Sequence, residues 1–145
     1  MGRKAMEFKF QVVEIRFEMA YTHPIAFLEG NLEINMGEVF FLEPGILLIE
    51  LGLCIKKWLN SSNKGVFQNF VYNSIEHDES IFSLIAINAQ QYEIISEWAK
   101  NIEKHFIEKD DVIKCFNAFL IELNACINFI NTEHNLTVKI DKLFI

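Results

Sequence analysis

The chain has 145 residues, 51% of them hydrophobic and 14 of them Phe, with 23% charged side chains and a formal net charge of −7. A chain of this length is the usual size of one domain and buries roughly 68–70% of the surface its unfolded form exposes, so with this composition intrinsic disorder is excluded. Scattered Lys and Arg in an acidic chain disfavour a nucleic-acid ligand, because phosphate neutralisation needs a basic surface, and favour a basic protein partner or none.

At the start, Arg3 and Lys4 precede an apolar run that Glu7, Lys9, Glu14 and Arg16 interrupt. A secretory leader is therefore not expected, and the protein is expected to stay in the cytoplasm. Residues 7–19 alternate as a strand, with Phe8, Phe10 and Val12 on one parity and Val13, Ile15, Phe17 and Met19 on the other. The phase slip at Val12 and Val13 predicts a bulge or a strand buried on both faces. After a turn at Thr22-His23-Pro24, residues 26–36 alternate cleanly, with Ala26, Leu28, Leu32, Ile34 and Met36 opposed to Phe27, Glu29, Asn31, Glu33 and Asn35. That pattern is an antiparallel strand with one wet face.

The most apolar stretch, residues 39–59, is broken by Glu43, Pro44, Glu50, Lys56 and Lys57. It falls short of the roughly 18 uninterrupted apolar residues of a spanning helix, so no membrane segment is expected. Pro44 suits a first helical position, and residues 46–59 read as a helix apolar on most sides, ended by the polar run 60–65. Residues 66–75, 80–87 and 91–98 read as three more strands joined by short connections. Asp110 or Asp111 would cap a long second helix whose stripe is Val112, Phe116, Phe119, Leu120, Leu123, Ile127 and Ile130. The tail alternates at Leu136, Val138 and Ile140, as an edge strand or an extended arm.

The order β-β-α-β-β-β-α, with a possible C-terminal strand, predicts a single α+β domain over residues 1–145. Its expected architecture is one antiparallel sheet of about five strands with two helices packed on one face.

Cys54, Cys115 and Cys126 each lie in an apolar helical segment and read as buried reduced thiols. Glu76-His77-Asp78-Glu79 is the densest group of potential ligands, and carboxylates beside an imidazole can hold a divalent metal or trade protons. The same four residues also make an ordinary solvated hairpin turn. His23, His105 and His134 stand apart, without the i, i+4 spacing of a helical zinc site. No glycine-rich phosphate loop and no nucleophile elbow occur, so neither a cofactor nor a catalytic residue is expected.

The outward parity of the second strand, Phe27, Glu29, Asn31, Glu33 and Asn35, is flanked by Glu38 and Glu43. It reads either as a plain solvated face or as an anchor and acidic rim for a basic partner.

Three segments carry a family resemblance: Glu50-Leu-Gly-Leu-Cys-Ile-Lys-Lys-Trp-Leu59, Phe70-Val-Tyr-Asn-Ser-Ile-Glu-His-Asp-Glu79 and Tyr92-Glu-Ile-Ile-Ser-Glu-Trp98. Their order, a Trp-ended helix, a Tyr-x-Ser-x-Glu-x-Asp-Glu hairpin and a Trp-ended strand, resembles small bacterial immunity proteins of polymorphic toxin and contact-dependent growth inhibition systems. The resemblance implies a non-enzymatic protein that occupies a cognate toxin domain, often a nuclease with a basic substrate surface. Carboxylates then steer association and stand in for phosphates. The expected partner surface is Phe27, Glu29, Asn31, Glu33, Asn35, Glu38 and Glu43 with the turn residues Glu76, Asp78 and Glu79. The alternatives are a small metal-binding or metal-dependent enzyme domain built on residues 76–79, and a self-associating domain using the apolar tail 136–145.

Overall fold

A computed structural model of the protein describes residues 6–62, 68–74, 80–99 and 104–138. The chain is α+β, as the pattern predicts, but its described strands form two antiparallel meanders rather than one sheet. The first contains β1 (Glu7–Ile15), β2 (Leu28–Asn35) and β3 (Val39–Leu47), and leads directly into α1 (Leu48–Ser62). The second contains β4 (Phe70–Asn73), β5 (Ser80–Ala86), β6 (Gln91–Ile95) and β7 (His105–Glu108), and leads directly into α2 (Lys109–His134).

In the first meander the phase slip is a bulge: Val12 pairs with Gly30 and Glu14 with Glu29, leaving Val13 as the extra, exposed residue. Strand β3 corrects the expected helix start at Pro44. Gly30 pairs with Ile46 and Leu32 with Glu43, so Pro44 and Gly45 together face a single residue of β2. Proline is tolerated at a bulge on an edge strand, and Gly45 supplies the positive φ of +75°. The helix begins only at Leu48, on a segment whose apolar residues are compatible with either state.

In the second meander all three expected strands form, and β7 is an addition. Four residues, His105 to Glu108, are too few to register as alternation, yet they pair with β6 from Gln91 to Ile94. Trp98 lies beyond the end of β6, in a turn where the Ser96 hydroxyl accepts from its N–H at 3.1 Å. Neither Asp110 nor Asp111 is the cap of α2: the N-cap is Glu108, without a side-chain bond, and both aspartates lie in the first turn, where the helix dipole favours them. The helix closes at Asn135, in the left-handed region at φ 56°. Residues 136–138 are irregular chain rather than strand, and the remainder of the expected tail strand, from residue 139, lies outside the described residues.

The helices do not form a layer on one face of a single sheet. Both meanders and both helices meet in one apolar cluster. At its centre Phe8 of β1 stands edge-on to Phe82 of β5 (5.7 Å) and to Phe116 and Phe119 of α2 (5.7 and 5.8 Å). Phe116 in turn contacts Phe70 of β4 (5.0 Å) and Trp58 of α1 (5.5 Å). Edge-to-face pairs of this kind add about 0.5–1.5 kcal/mol each beyond the area they bury, and here they tie every layer to one hub.

Candidate partner-binding surface

Residues paired across a ladder point to the same side of the sheet. The outer face of the first meander is therefore built in rows: Glu7 beside Asn35 and Val39, Lys9 beside Glu33 and Leu42, Gln11 beside Asn31, and Glu14 beside Glu29. The alternation of β2 is as expected, with Glu29, Asn31, Glu33 and Asn35 partly exposed and Leu28, Leu32 and Ile34 buried. Lys9 pairs with Glu7 at 3.3 Å. Glu14 and Glu29 are like charges set directly opposite, a destabilising arrangement that Arg16 relieves by bridging both carboxylates: its Nε lies 3.1 Å from Glu14, and an Nη contacts Glu29.

Two of the expected partner residues are elsewhere. Phe27 is fully buried, because the 3-10 turn from Pro24 to Ala26 puts it in αR conformation before β2 begins, so it does not inherit the outward parity of that strand. Glu43 pairs with the buried Leu32 and so shares the opposite side of the sheet, half-buried beside the bulge. Glu38 is exposed in the β2–β3 turn, where the N–H of Gly37, at φ +86°, donates to the Asn35 side-chain oxygen at 3.1 Å. Glu76, Asp78 and Glu79, with the whole turn 75–79, lie outside the described residues. The structure thus brings Glu29, Asn31, Glu33 and Asn35 together with Glu7, Lys9, Gln11 and Glu14.

The outer face of the second meander has a different character. The rows Val71–Ser83–Ile95 and Ile85–Glu93–Phe106 cross it, and Val71, Ile95 and Phe106 are all exposed. Sequence alternation could not separate this face from the buried one, because both parities of β5 are apolar.

Buried polar groups sit between the layers. Glu50, near the start of α1, is buried and accepts from the Tyr72 hydroxyl at 3.2 Å. Burial, reinforced by the Glu50 charge, pushes the Tyr72 phenol far above its ordinary range. Burial also raises the thiols of Cys54, Cys126 and Cys115, the last to about 12, but of the three only Cys115 is buried as the sequence reading expects, Cys54 and Cys126 being half-buried. His105 is buried edge-on against Phe40 at 5.2 Å. Among the described residues no group of three His, Cys, Asp or Glu side chains is placed to hold a metal ion. An open groove of about 550 Å³ lies between β1 and α2, lined in part by Glu7, Lys9, Asp111, Lys114, Cys115 and Glu122, with charges of both signs.

The chain belongs to the DUF7878 family. The family model, described as a domain of unknown function, matches residues 6–128, which takes in both meanders, α1 and most of α2. No curated protein and no solved structure matches the chain.

Proposed function

We propose that this DUF7878 chain is a non-enzymatic immunity protein that binds and neutralises a cognate bacterial toxin domain in the cytoplasm, the toxin being a nuclease with a basic substrate surface. The observation that supports the reading most is the open outer face of the first meander, where Glu29, Asn31, Glu33 and Asn35 of β2 lie beside Glu7 and Glu14 of β1. A rigid sheet presenting carboxylates and amides at fixed spacing offers a basic surface both steering and hydrogen-bond acceptors, at little cost in ordering the backbone. The net charge of −7 acts in the same direction over longer range. Binding on this face leaves the shared core untouched, as an inhibitor that must be folded before it meets its target requires.

The test is co-expression with the product of the adjacent reading frame, read as a stable complex by size-exclusion chromatography and as restored growth of cells making that product. Absence of a complex together with absence of protection would sink the proposal.

A further inference from the structure

The open groove between β1 and α2 has one wall of strand and one of helix. β1 is the end strand of its sheet, paired with β2 on one side, and no other described strand lies along its second edge. The two walls run side by side in the same direction, since Phe8 meets Phe116 at 5.7 Å and Phe10 meets Phe119 at 5.5 Å. Met6 to Phe10 extend over about 14 Å and Asp111 to Glu122 over about 16 Å, the length of about four or five residues of added strand. The strand wall offers main-chain groups. In an antiparallel ladder alternate residues turn both N–H and C=O to the partner, and those between turn both away. The Gln11 carbonyl oxygen lies against Gly30 of β2, and the register from Glu7 to Gln11 is unbroken, so Glu7, Lys9 and Gln11 bond β2 while Phe8 and Phe10 turn their groups to the groove. There the backbone of Phe8 meets the Cys115 thiol, a weak partner for a main-chain N–H.

We infer that this groove is a peptide-binding site, which takes an extended segment of another protein as an added strand antiparallel to β1. The walls specify the occupant. Its residues opposite Phe8 and Phe10 exchange paired main-chain bonds with them and share their side of the sheet, so their side chains point at Cys115 and Ala118 on the helix wall. Both are small, and apolar groups of the size of Val fill the space above them. The residues opposite Glu7 and Lys9 point to the outer side, where a basic side chain faces Glu7 and an acidic one faces Lys9. Those two side chains are 63% and 60% exposed, and their mutual ion pair at 3.3 Å is of the solvent-screened kind that exchanges partners at little cost. The recognised segment is therefore alternately apolar, with an acidic and a basic residue two apart on its outward side. Main-chain bonds supply its affinity and the alternate side chains its register. A second copy paired through the same edge would bring its own α2 into the space that this α2 already walls, so a single strand fits where a whole sheet does not. The inference does not depend on the proposed function, which concerns the outer face of the sheet rather than its edge.

The probe is the blocked peptide acetyl-Thr-Val-Glu-Val-Lys-amide, which in antiparallel register sets its two Val opposite Phe10 and Phe8, its Glu opposite Lys9 and its Lys opposite Glu7. Added to the full chain up to about 5 mM, enough to occupy a millimolar site, it is expected to shift the amide resonances of residues 6–10 and those around Ala118. N-methylation of both Val removes the donors that face β1 and should weaken binding about ten-fold, whereas N-methylation of the Glu, whose N–H faces away, should change it by less than about two-fold. Exchanging Glu and Lys in the peptide should weaken it several-fold. Ala118 is exposed, so Ala118→Phe fills the groove without disturbing the core and should abolish the shifts with an unchanged circular dichroism spectrum. Absence of shifts at residues 6–10 with both charge orders overturns the inference. Equal weakening by the two N-methylations would give the groove to side-chain docking alone, and binding by Ala118→Phe equal to that of the parent would place the peptide elsewhere; either result overturns it. A mass of two chains without peptide, lost when the peptide is added, would give the edge to a second copy and overturn it likewise.

Discussion

The side-chain amide of Asn131 holds the main chain of Val138 from both ends, donating to its carbonyl at 2.7 Å and accepting from its N–H at 3.1 Å. This pair returns the chain onto the end of α2 and keeps Val138 buried at 4% exposure. Asn131→Ala removes both bonds and is expected to lower stability by about 1–2 kcal/mol in urea unfolding. Asn131→Asp retains the acceptor and loses the donor, so it should fall between. Amide exchange at Val138 should quicken in both variants, and an unchanged rate would show that the contact does not hold the segment.

Tyr72→Phe leaves the buried carboxylate of Glu50 with one donor fewer. The expected loss is about 1–3 kcal/mol, more than the net worth of an average hydrogen bond, because the acceptor is charged and away from water. Glu50→Gln keeps an acceptor oxygen without the charge. A double-mutant cycle between the two positions should give a coupling of at least ~0.5 kcal/mol, and additivity would refute the pairing.

Stability should fall at alkaline pH. Burial pushes the Cys115 thiol up to about 12 from the 9.0 of a free thiol, and it likewise raises the Tyr72 phenol from 10.0. In both cases the unfolded chain releases its proton first, so the stabilisation is complete below the unfolded value and is lost as pH rises towards the folded one. Each group contributes a slope of up to about 1.4 kcal/mol per pH unit within its window. Cys115→Ala should flatten the dependence between pH 9 and 12. Thermal midpoints measured across that range for the parent and the variant check the sign.

Gly30 has no room for a side chain. A Cβ there would lie 2.2 Å from the Gln11 carbonyl oxygen and 3.0 Å from a Leu48 methyl, and the first of these is backbone that cannot rotate away. Gly30→Ala is expected to destabilise the protein by about 2 kcal/mol or more by separating β1 from β2. A urea midpoint equal to that of the parent would contradict the packing described.

The acidic face does not respond uniformly to charge reversal. Glu29 is tied to Arg16, both side chains being largely covered at 21% and 19% exposure, so Glu29→Lys should cost about 1–2 kcal/mol in addition to any effect on binding. Glu33→Lys is expected to leave stability within about 0.5 kcal/mol while slowing association with a basic toxin domain at low salt. Stopped-flow association rates over a salt series, set beside denaturation curves, separate the two. Equal association rates for parent and Glu33→Lys would place the interface off this face.

Much of the fold was legible where one face of an element is wet. The β2 alternation, the β1 bulge and the apolar stripe of α2 all come from a strict contrast between core and solvent, and their side chains lie where that contrast puts them. The errors fall where the contrast fails. Residues 39–47 are apolar on both parities, and Pro44, which suits a helix start, marks a bulge instead. Phe27 continues the parity of β2 on paper, but the 3-10 turn before it resets the phase. One sheet and two sheets also give the same alternation, since strand period reports which side faces the core and not which strand is the neighbour. The acidic row of the candidate site was visible for the same reason as β2, whereas its neutralisation by Arg16 depends on a contact across 13 residues that no local pattern encodes.

Because β3 passes into α1 and β7 into α2 without an intervening loop, each meander and its helix form one continuous run of chain in which every strand pairs with its sequence neighbour. Loop closure within each run is short, so each can organise quickly by itself, and the slow event is the meeting of the two runs. That meeting brings Phe8 of β1 against Phe116 of α2, 108 residues later in the chain (116 − 8). Truncating Phe8 should therefore slow folding as well as weaken the native state, while truncations inside either ladder act mainly on unfolding. For a chain made on the ribosome, the first run can assemble while the second is still being synthesised, and its apolar face waits uncovered until α2 emerges.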